Sequence, residues 1–189
     1  MNTQMAQERI NSDAPINKLT NDVLVGVDLI KRDENGNPRV WKVNFARNNI
    51  KTKWQLWAKK AFVEILDGWD NIEAQTLIGR TGTVKNWHIN LLRIAVWASQ
   101  NKPSTPISLW EEKDLVKLFQ DAIENNILWS DKLKSETLVY GSLKGLVDTI
   151  NVTREHYLLG RIDDGYTKHI TYDFLAEAAK PILNRLDID

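Results

Sequence analysis

The chain has 189 residues, of which 42% are hydrophobic and 26% charged, a composition that suffices for a packed core and argues against global disorder. It has no cysteine, which excludes disulfide scaffolds, cysteine-rich zinc sites and cysteine nucleophiles. No apolar run approaches the roughly 18 residues that span a bilayer, and residues 1–21 have no signal-peptide core. We therefore expect a cytoplasmic protein without a membrane partner.

The charge is unevenly distributed, although it sums to zero. Residues 39–102 hold 11 basic and 4 acidic side chains, whereas residues 103–189 hold 10 basic and 15 acidic ones. A basic middle segment is typical of a chain that binds a polyanion. The alternative is that the basic and acidic segments fold against each other and cancel, and the charge count fits both interpretations.

The first 48 residues are predicted to contain a tail and a hairpin. Residues 1–21 lack periodicity and are predicted to form a flexible tail. Residues 22–48 are predicted to form a β-hairpin, because two alternating apolar runs flank Asn35-Gly36, a pair that tolerates positive φ. A two-stranded ribbon alone is marginal, so it should lie on something larger.

Apolar residues recur at helical spacing through residues 49–189, which we treat as one helical domain. Helices are predicted over residues 51–66, 83–100, 108–126, 135–158 and 172–186, whereas residues 71–82 are ambiguous and residues 160–168 form a loop. Asp67-Gly68 should end the first helix, and Ser108 should cap the third with Glu111 completing a capping box. Pro181 should kink or interrupt the last helix. The predicted fold is mainly α, a helical bundle of four to five helices preceded by an N-terminal β-hairpin.

No catalytic constellation is evident in the sequence. The three histidines are not spaced for helical metal pairing, and neither a phosphate loop nor a Gly-x-Ser-x-Gly elbow occurs. His88 lies on an apolar arc and is predicted to be a core histidine, and Asp163-Asp164 is predicted to be a solvated turn rather than a cation site. We therefore expect no metal, no cofactor and no catalytic centre in this chain.

Two predicted helices have polar arcs that could contact DNA. Lysine and arginine neutralise phosphates, and asparagine reads adenine edges in the major groove. The arc of residues 83–100 combines both kinds of side chain, in Lys85, Asn86, Asn90 and Arg93. An ordinary solvated face is the alternative interpretation.

The helix over residues 135–158 contains Gly141 and Gly145 one turn apart, beside Lys144. Glycine costs a helix roughly 1 kcal/mol against alanine, so this pair indicates close approach of another backbone. That backbone could belong to a neighbouring helix or to a DNA strand, and both remain open.

Taken in order, these elements resemble the amino-terminal half of tyrosine recombinases, the phage-type site-specific integrases. The resemblance covers about residues 40–150 and rests on spaced apolar and basic positions. They are Val43-Asn44-Phe45-Ala46-Arg47, Trp54-x-x-Trp57-Ala58-Lys59-Lys60, Thr83-Val84-x-x-Trp87-x-x-x-Leu91-x-x-x-Ala95-x-Trp97 and Thr137-Leu138-x-x-x-Ser142-Leu143-Lys144-x-Leu146.

The resemblance implies a core-binding domain of the SAM-like helical type, which clamps duplex DNA with two helices for integration or recombination. By position these would be the helices over residues 83–100 and 135–158. The implied partner is double-stranded DNA, with possible self-association on the recombination site. The implied DNA-binding residues are Lys85, Asn86, Asn90, Arg93, Lys134, Thr137, Gly141 and Lys144.

The chain departs from the family's catalytic pattern. The family's chemistry needs a tyrosine nucleophile and a His-x-x-Arg motif, and no His-x-x-Arg occurs here. We therefore expect the catalytic domain to lie outside this chain, which would bind DNA without cutting it. The alternative, favoured by eight tryptophans and the acidic carboxy-terminal segment, is a helical protein–protein interaction module with no DNA role.

Overall fold

A computed structural model describes residues 21–70, 77–125 and 136–186. The described chain is mainly helical, with a small three-stranded sheet near its amino terminus. In chain order the elements are β1 (Val23–Arg32), β2 (Pro38–Asn44), α1 (Thr52–Asp70), β3 (Leu77–Ile78), α2 (Thr81–Asn101), a 3-10 turn (Ile107–Leu109), α3 (Glu112–Glu124), α4 (Glu136–Leu158) and α5 (Tyr172–Leu186). Residues 1–20, which include nearly all of the predicted tail, lie outside the described residues.

The predicted hairpin is confirmed. Strands β1 and β2 pair antiparallel, with Leu24 opposite Val43. In the turn Gly36 has a φ of 80°, the left-handed conformation for which glycine is suited. The carboxylate of Asp33 accepts hydrogen bonds from the backbone N of Asn35 and Asn37, both at 2.9 Å, which closes the turn.

A third strand extends the hairpin and was missed by the sequence prediction. Strand β3 pairs parallel to β1, with Leu77 beside Gly26, so the sheet order is β2-β1-β3. Gly26 is required at this crossing, because a Cβ there would lie 2.1 Å from Cζ2 of Trp41 and 2.4 Å from the carbonyl oxygen of Leu77. A strand of two residues is too short to show periodicity, so the pattern gave no signal for it.

The sheet packs against α1 through aromatic rings. The ring of Phe62 lies edge-on to Trp41 at 5.9 Å and to Phe45 at 5.3 Å. The helix was correctly predicted from residue 51, but its expected end at Asp67-Gly68 is wrong, because the helix continues to Asp70. One interior glycine costs roughly 1 kcal/mol, which the packing of this long apolar helix offsets.

Helix α2 crosses the centre of the bundle, and its predicted extent is confirmed to within two residues. Leu91, Ile94 and Ala95 are fully buried, as the apolar arc predicted. Helix α2 contacts α1 and the sheet, and near its carboxyl end Trp97 packs edge-on against Trp110 at 5.2 Å. The indole N–H of Trp97 donates to Asp121 at 2.9 Å, so Trp97 is a buried packing residue between α2 and α3.

The start of α3 differs from the prediction. Ser108 lies in a 3-10 turn, and Glu111 rather than Ser108 is the N-cap residue of α3. The backbone N of Glu111 donates to Asp114 at 3.0 Å, which is the capping box at this end. Ser108 does not cap α3, because it lies in a 3-10 turn that precedes the first turn of the helix, and its backbone N donates at 2.9 Å to Asp164 of the loop after α4.

Helices α4 and α5 complete the bundle, and both predicted ranges are confirmed. The end of α4 is closed by Gly160, whose φ is 69° and whose N donates to the carbonyl of Tyr157 at 2.9 Å. Pro181 lies inside α5 without interrupting it. Buried residues of the sheet and of all five helices form one hydrophobic cluster, which places the inner face of the hairpin in the same core as the helices.

Candidate nucleic-acid interface

A groove of about 510 Å³ lies between α2 and α4. It brings together four of the eight residues that the sequence singled out for DNA contact, two asparagines, an arginine and a glycine. Its lining residues are Thr83, Asn86, Trp87, Ile89, Asn90, Arg93, Gly141, Ser142, Gly145 and Asp148. The polar arcs of the two helices therefore face a common surface.

The floor of the groove is set by a contact between Asn90 and Gly145. A Cβ on Gly145 would lie 2.9 Å from Nδ2 of Asn90, so glycine lets the two helices approach closely here. Asn90 is only 6% exposed, which is less than its position on the polar arc predicted. The helix-packing interpretation holds for Gly145, and Asn90 serves the packing of α2 on α4.

Gly141 has a different environment, although it lies one turn from Gly145. It is exposed, and no atom lies within 4 Å of the position that its Cβ would take. Helix packing therefore does not explain the glycine at this position. The space above it is open to the groove and to any molecule that enters there.

Arg93 presents its guanidinium at the groove, in a partly buried position. Its Nη1 donates to Oδ1 of Asn90 at 2.9 Å, which orients both side chains. Burial lowers the pKa of Arg93, yet an arginine side chain stays protonated in proteins. The groove therefore contains a fixed positive charge with a planar donor group, suited to phosphate or to a base edge.

Lysines extend the positive surface beyond the groove on both helices. Lys85 of α2 is exposed beside Asn86, which is also exposed. On α4 Lys144 is exposed and its Nζ lies 5.2 Å from the ring centroid of Tyr172. Thr137 falls in the first turn of α4, and Lys134 lies outside the described residues.

Asp148 adds a negative charge that the predicted site did not include. It lies on the groove, and its Oδ1 accepts a hydrogen bond from the hydroxyl of Tyr172 at 2.6 Å. This hydrogen bond raises the pKa of Tyr172, because losing the phenolic proton would place two negative charges together. An anionic ligand would be repelled by Asp148 and attracted by Arg93, while Lys144, which contacts the same Tyr172, offsets part of the repulsion.

Trp87 packs against the hydrophobic core and also lines the groove, a position that the sequence did not indicate. It is partly buried and lines the groove, and its buried indole N–H has no hydrogen-bond partner among the described residues. Its place at the edge of the apolar arc was the signal available in the sequence. Thr83, Ile89 and Ser142 were also missed, because helical periodicity does not show which flank of a helix a neighbour covers.

Ion pairs account for part of the basic middle segment. Lys59 pairs with Asp22 at 3.2 Å, and Lys102 pairs with Asp114 at 2.7 Å. For Lys102, and for Lys60 beside Asp163, the interpretation that the basic and acidic segments cancel is correct, whereas Lys59 pairs with a residue near the amino terminus. By contrast, Lys85 forms no ion pair with any acidic residue in the described ranges.

The residues considered for other chemistry have structural roles. The carboxylate of Asp164 accepts hydrogen bonds from the backbone N of Ile107 at 2.8 Å and of Ser108 at 2.9 Å, which fixes the loop after α4. His88 is partly buried, with Nε2 2.8 Å from the carbonyl oxygen of Asn44, and burial lowers its pKa. Within residues 21–70, 77–125 and 136–186 no group of three or more metal-ligating side chains occurs.

Across the same part of the chain, none of the helices combines the length and the apolar character needed to cross a bilayer. Comparison with known proteins identifies no relative: no protein-family model, no curated protein and no solved structure matches this chain.

Proposed function

We propose that this chain binds duplex DNA through the groove between α2 and α4, as the core-binding module of a tyrosine-type site-specific recombinase. The observation that carries the proposal is that Asn86 and Arg93 of α2 line a single groove with Gly141 of α4, which lies 48 residues beyond Arg93. A SAM-like arrangement of the helices is part of the proposal. In this role the chain holds DNA and leaves strand cleavage to a catalytic domain outside it.

The charges at the groove support a phosphate-binding role. Arg93 inside the groove and the exposed lysines Lys85 and Lys144 are suited to neutralising phosphates and releasing counterions. Asn86 is exposed between them and has the amide group that pairs with an adenine edge. Open space over Gly141 allows a sugar-phosphate strand to approach the backbone of α4 closely.

A salt titration tests the proposal directly. Fluorescence anisotropy of a labelled mixed-sequence duplex should show binding at 50 mM salt that weakens steeply toward 200 mM. Lys85→Ala and Lys144→Ala should each reduce the slope of log affinity against log salt by about 1, because each removes one phosphate contact. Lys113→Ala is the matched control, since Lys113 is 73% exposed but pairs with Glu111 at the start of α3, away from the groove.

The titration distinguishes whether the chain binds DNA from whether the groove is the binding site. Absence of binding to any duplex at 50 mM salt would contradict DNA binding altogether. Binding with the same slope in both lysine variants would leave DNA binding standing and remove the groove as its site.

A protein-interaction role is the second candidate, and one observation favours it. The outer face of the sheet exposes Val25 by 53% and Val40 by 61%, on neighbouring strands. Val40 lies opposite Val27 and Val25 lies opposite Lys42, so the two exposed valines are diagonal neighbours. Exposed apolar side chains grouped in this way are typical of protein contact surfaces, including those for self-association. Sedimentation velocity with and without duplex distinguishes the two: an oligomer that ignores DNA supports the protein-interaction role.

A further inference from the structure

A bulge in β1 presents two aliphatic side chains to solvent. The pairing advances from Asp28 opposite Arg39 to Arg32 opposite Pro38, so that four steps along β1 match one step along β2. The intervening residues therefore protrude from the ladder. Among them Leu29 is 50% exposed and Ile30 is 65% exposed, in adjacent positions.

One buried carboxylate holds this bulge rigid. Oδ1 of Asp28 accepts hydrogen bonds from the backbone N of Ile30 and of Lys31, both at 3.0 Å. Oδ2 accepts from the backbone N and the hydroxyl of Thr81, at 2.7 and 2.8 Å. The bulge is thus fixed to the first residue of α2, the helix that lines the groove, and it is prepared for contact without further ordering.

The surroundings of the bulge are mostly basic. Besides the buried Asp28, the acidic side chains nearby in sequence are Asp33 and Glu34, and the carboxylate of Asp33 is engaged by the turn. The exposed cations on the bulge, on the facing strand and at the start of α2 are Lys31, Arg32, Arg39, Arg80 and Lys85. Protein contact surfaces are depleted in lysine, whereas DNA contact surfaces are strongly positive. The charge therefore favours DNA over a protein as the occupant.

We propose that the bulge is a second DNA contact, in which Ile30 enters the minor groove as an apolar wedge beside the segment held between α2 and α4. This inference rests on the proposed function. Proteins that bend DNA insert isoleucine or leucine between base steps in this way, while flanking cations hold the phosphates. Lys31 follows Ile30 in the bulge, and Arg80 precedes Thr81, which binds the same carboxylate of Asp28; these two cations would contact the phosphates beside the wedge.

A topology assay tests the wedge without knowledge of the target sequence. A wedge unstacks base steps and changes the twist of the duplex. Relaxation of a closed circular plasmid by topoisomerase in the presence of the full chain should therefore give a shifted topoisomer distribution after the protein is removed. Ile30→Ser should abolish most of that shift, while binding of linear duplex weakens by no more than about 10-fold.

Leu109→Ser is the matched control. Leu109 is 68% exposed and lies far from the bulge. Its neighbour Trp110 packs on Trp97, near the carboxyl end of α2, whereas the bulge is bound to Thr81 at the start of that helix. Thr81 and Trp97 are 16 residues apart, about 24 Å at 1.5 Å per residue. This variant should shift the topoisomers as the unmodified chain does. Circular dichroism should show both variants folded, since both side chains are mostly exposed.

The possible results are distinct. If the unmodified chain binds no duplex, the proposed function and the wedge both fall. If it binds duplex but leaves the topoisomers unshifted, or if Ile30→Ser shifts them equally, the wedge alone is overturned. If Ile30→Ser instead dissolves an oligomer while leaving DNA binding and topology unchanged, the bulge is a protein contact and the wedge is again overturned.

Discussion

The carboxylate of Asp28 accepts a hydrogen bond of 2.7 Å from the backbone N of Thr81, which connects a sheet strand to the first turn of α2. The first N–H groups of a helix have no intrahelical partner, and a negative charge there also interacts favourably with the positive end of the helix dipole. Asp28 is therefore an N-terminal cap for α2 that is supplied from 53 residues earlier in the chain. Because the same carboxylate binds the bulge of β1, its loss should affect both elements.

Asp28→Ala is expected to lower the free energy of unfolding by about 3 kcal/mol, since it leaves several buried donors without an acceptor. Urea denaturation followed by tryptophan fluorescence measures the change. Asp33→Ala is the matched control, because Asp33 also accepts backbone N–H groups but lies in an exposed turn. Equal effects of the two substitutions would contradict the structural role of Asp28.

The free energy of unfolding should decrease at acidic pH because of Asp28. Hydrogen bonds from the backbone N of Thr81 and then of Lys31 hold the pKa of Asp28 well below its usual range. A carboxyl whose pKa is depressed by folding contributes stability above its unfolded pKa of about 3.9, and that contribution is lost as the pH falls toward the folded pKa. Urea midpoints measured between pH 7 and pH 2 should decline below about pH 4, and less steeply in Asp28→Asn. Parallel declines would contradict the assignment.

The two glycines of α4 should respond oppositely to alanine. Gly141→Ala should stabilise the protein by about 0.5–1 kcal/mol, because the helix gains propensity and the new methyl group meets open space. Gly145→Ala should destabilise it by about 1 kcal/mol, because the methyl group displaces the buried Asn90 from Arg93. Thermal unfolding of both variants measures the difference.

The Gly141→Ala variant also tests where DNA binds. If a DNA strand approaches α4 at Gly141, the stabilised Gly141→Ala variant should bind duplex less tightly, and the loss is then independent of folding. Unchanged affinity in this variant would indicate that the strand lies elsewhere.

Removing the negative charge of the groove should strengthen DNA binding. Asp148→Asn is expected to tighten duplex binding by about 5-fold at low salt, as one repulsion near the protein surface is worth roughly 1 kcal/mol. Asp173→Asn is the control, because Asp173 is exposed in the first turn of α5 and does not line the groove. Weaker binding by Asp148→Asn in fluorescence anisotropy would contradict the location of the site.

The helices were predictable because periodicity reports burial, and long amphipathic stretches such as Thr81–Asn101 leave little ambiguity. Features that depend on residues far apart in the sequence were not predictable in this way. The sequence marked Ser108 as the cap of α3, but Ser108 belongs to a 3-10 turn whose backbone is bound by Asp164, 56 residues later. Asn90 has the spacing of an exposed residue and is buried only because Gly145 allows α4 to approach it.

The residues of the candidate site likewise divide into those that the sequence identified and those that it missed. Residues on the centre of each polar arc, such as Asn86 and Gly141, were identified because they point away from the core. Residues on the flanks, such as Trp87 and Asp148, were missed because which flank faces the groove depends on how two helices cross. The bulge of β1 was also missed, since the alternation of apolar residues continues through it.

The edge-on packing of Phe62 against Trp41 and Phe45 has a practical consequence for anyone who shortens this protein. A gene fragment that starts after residue 48 would encode every helix, yet it would uncover one side of α1 and remove the acceptor at the start of α2. We expect such a fragment to be recovered from cells as aggregate, and dissection of the chain should therefore keep the ribbon and the bundle together.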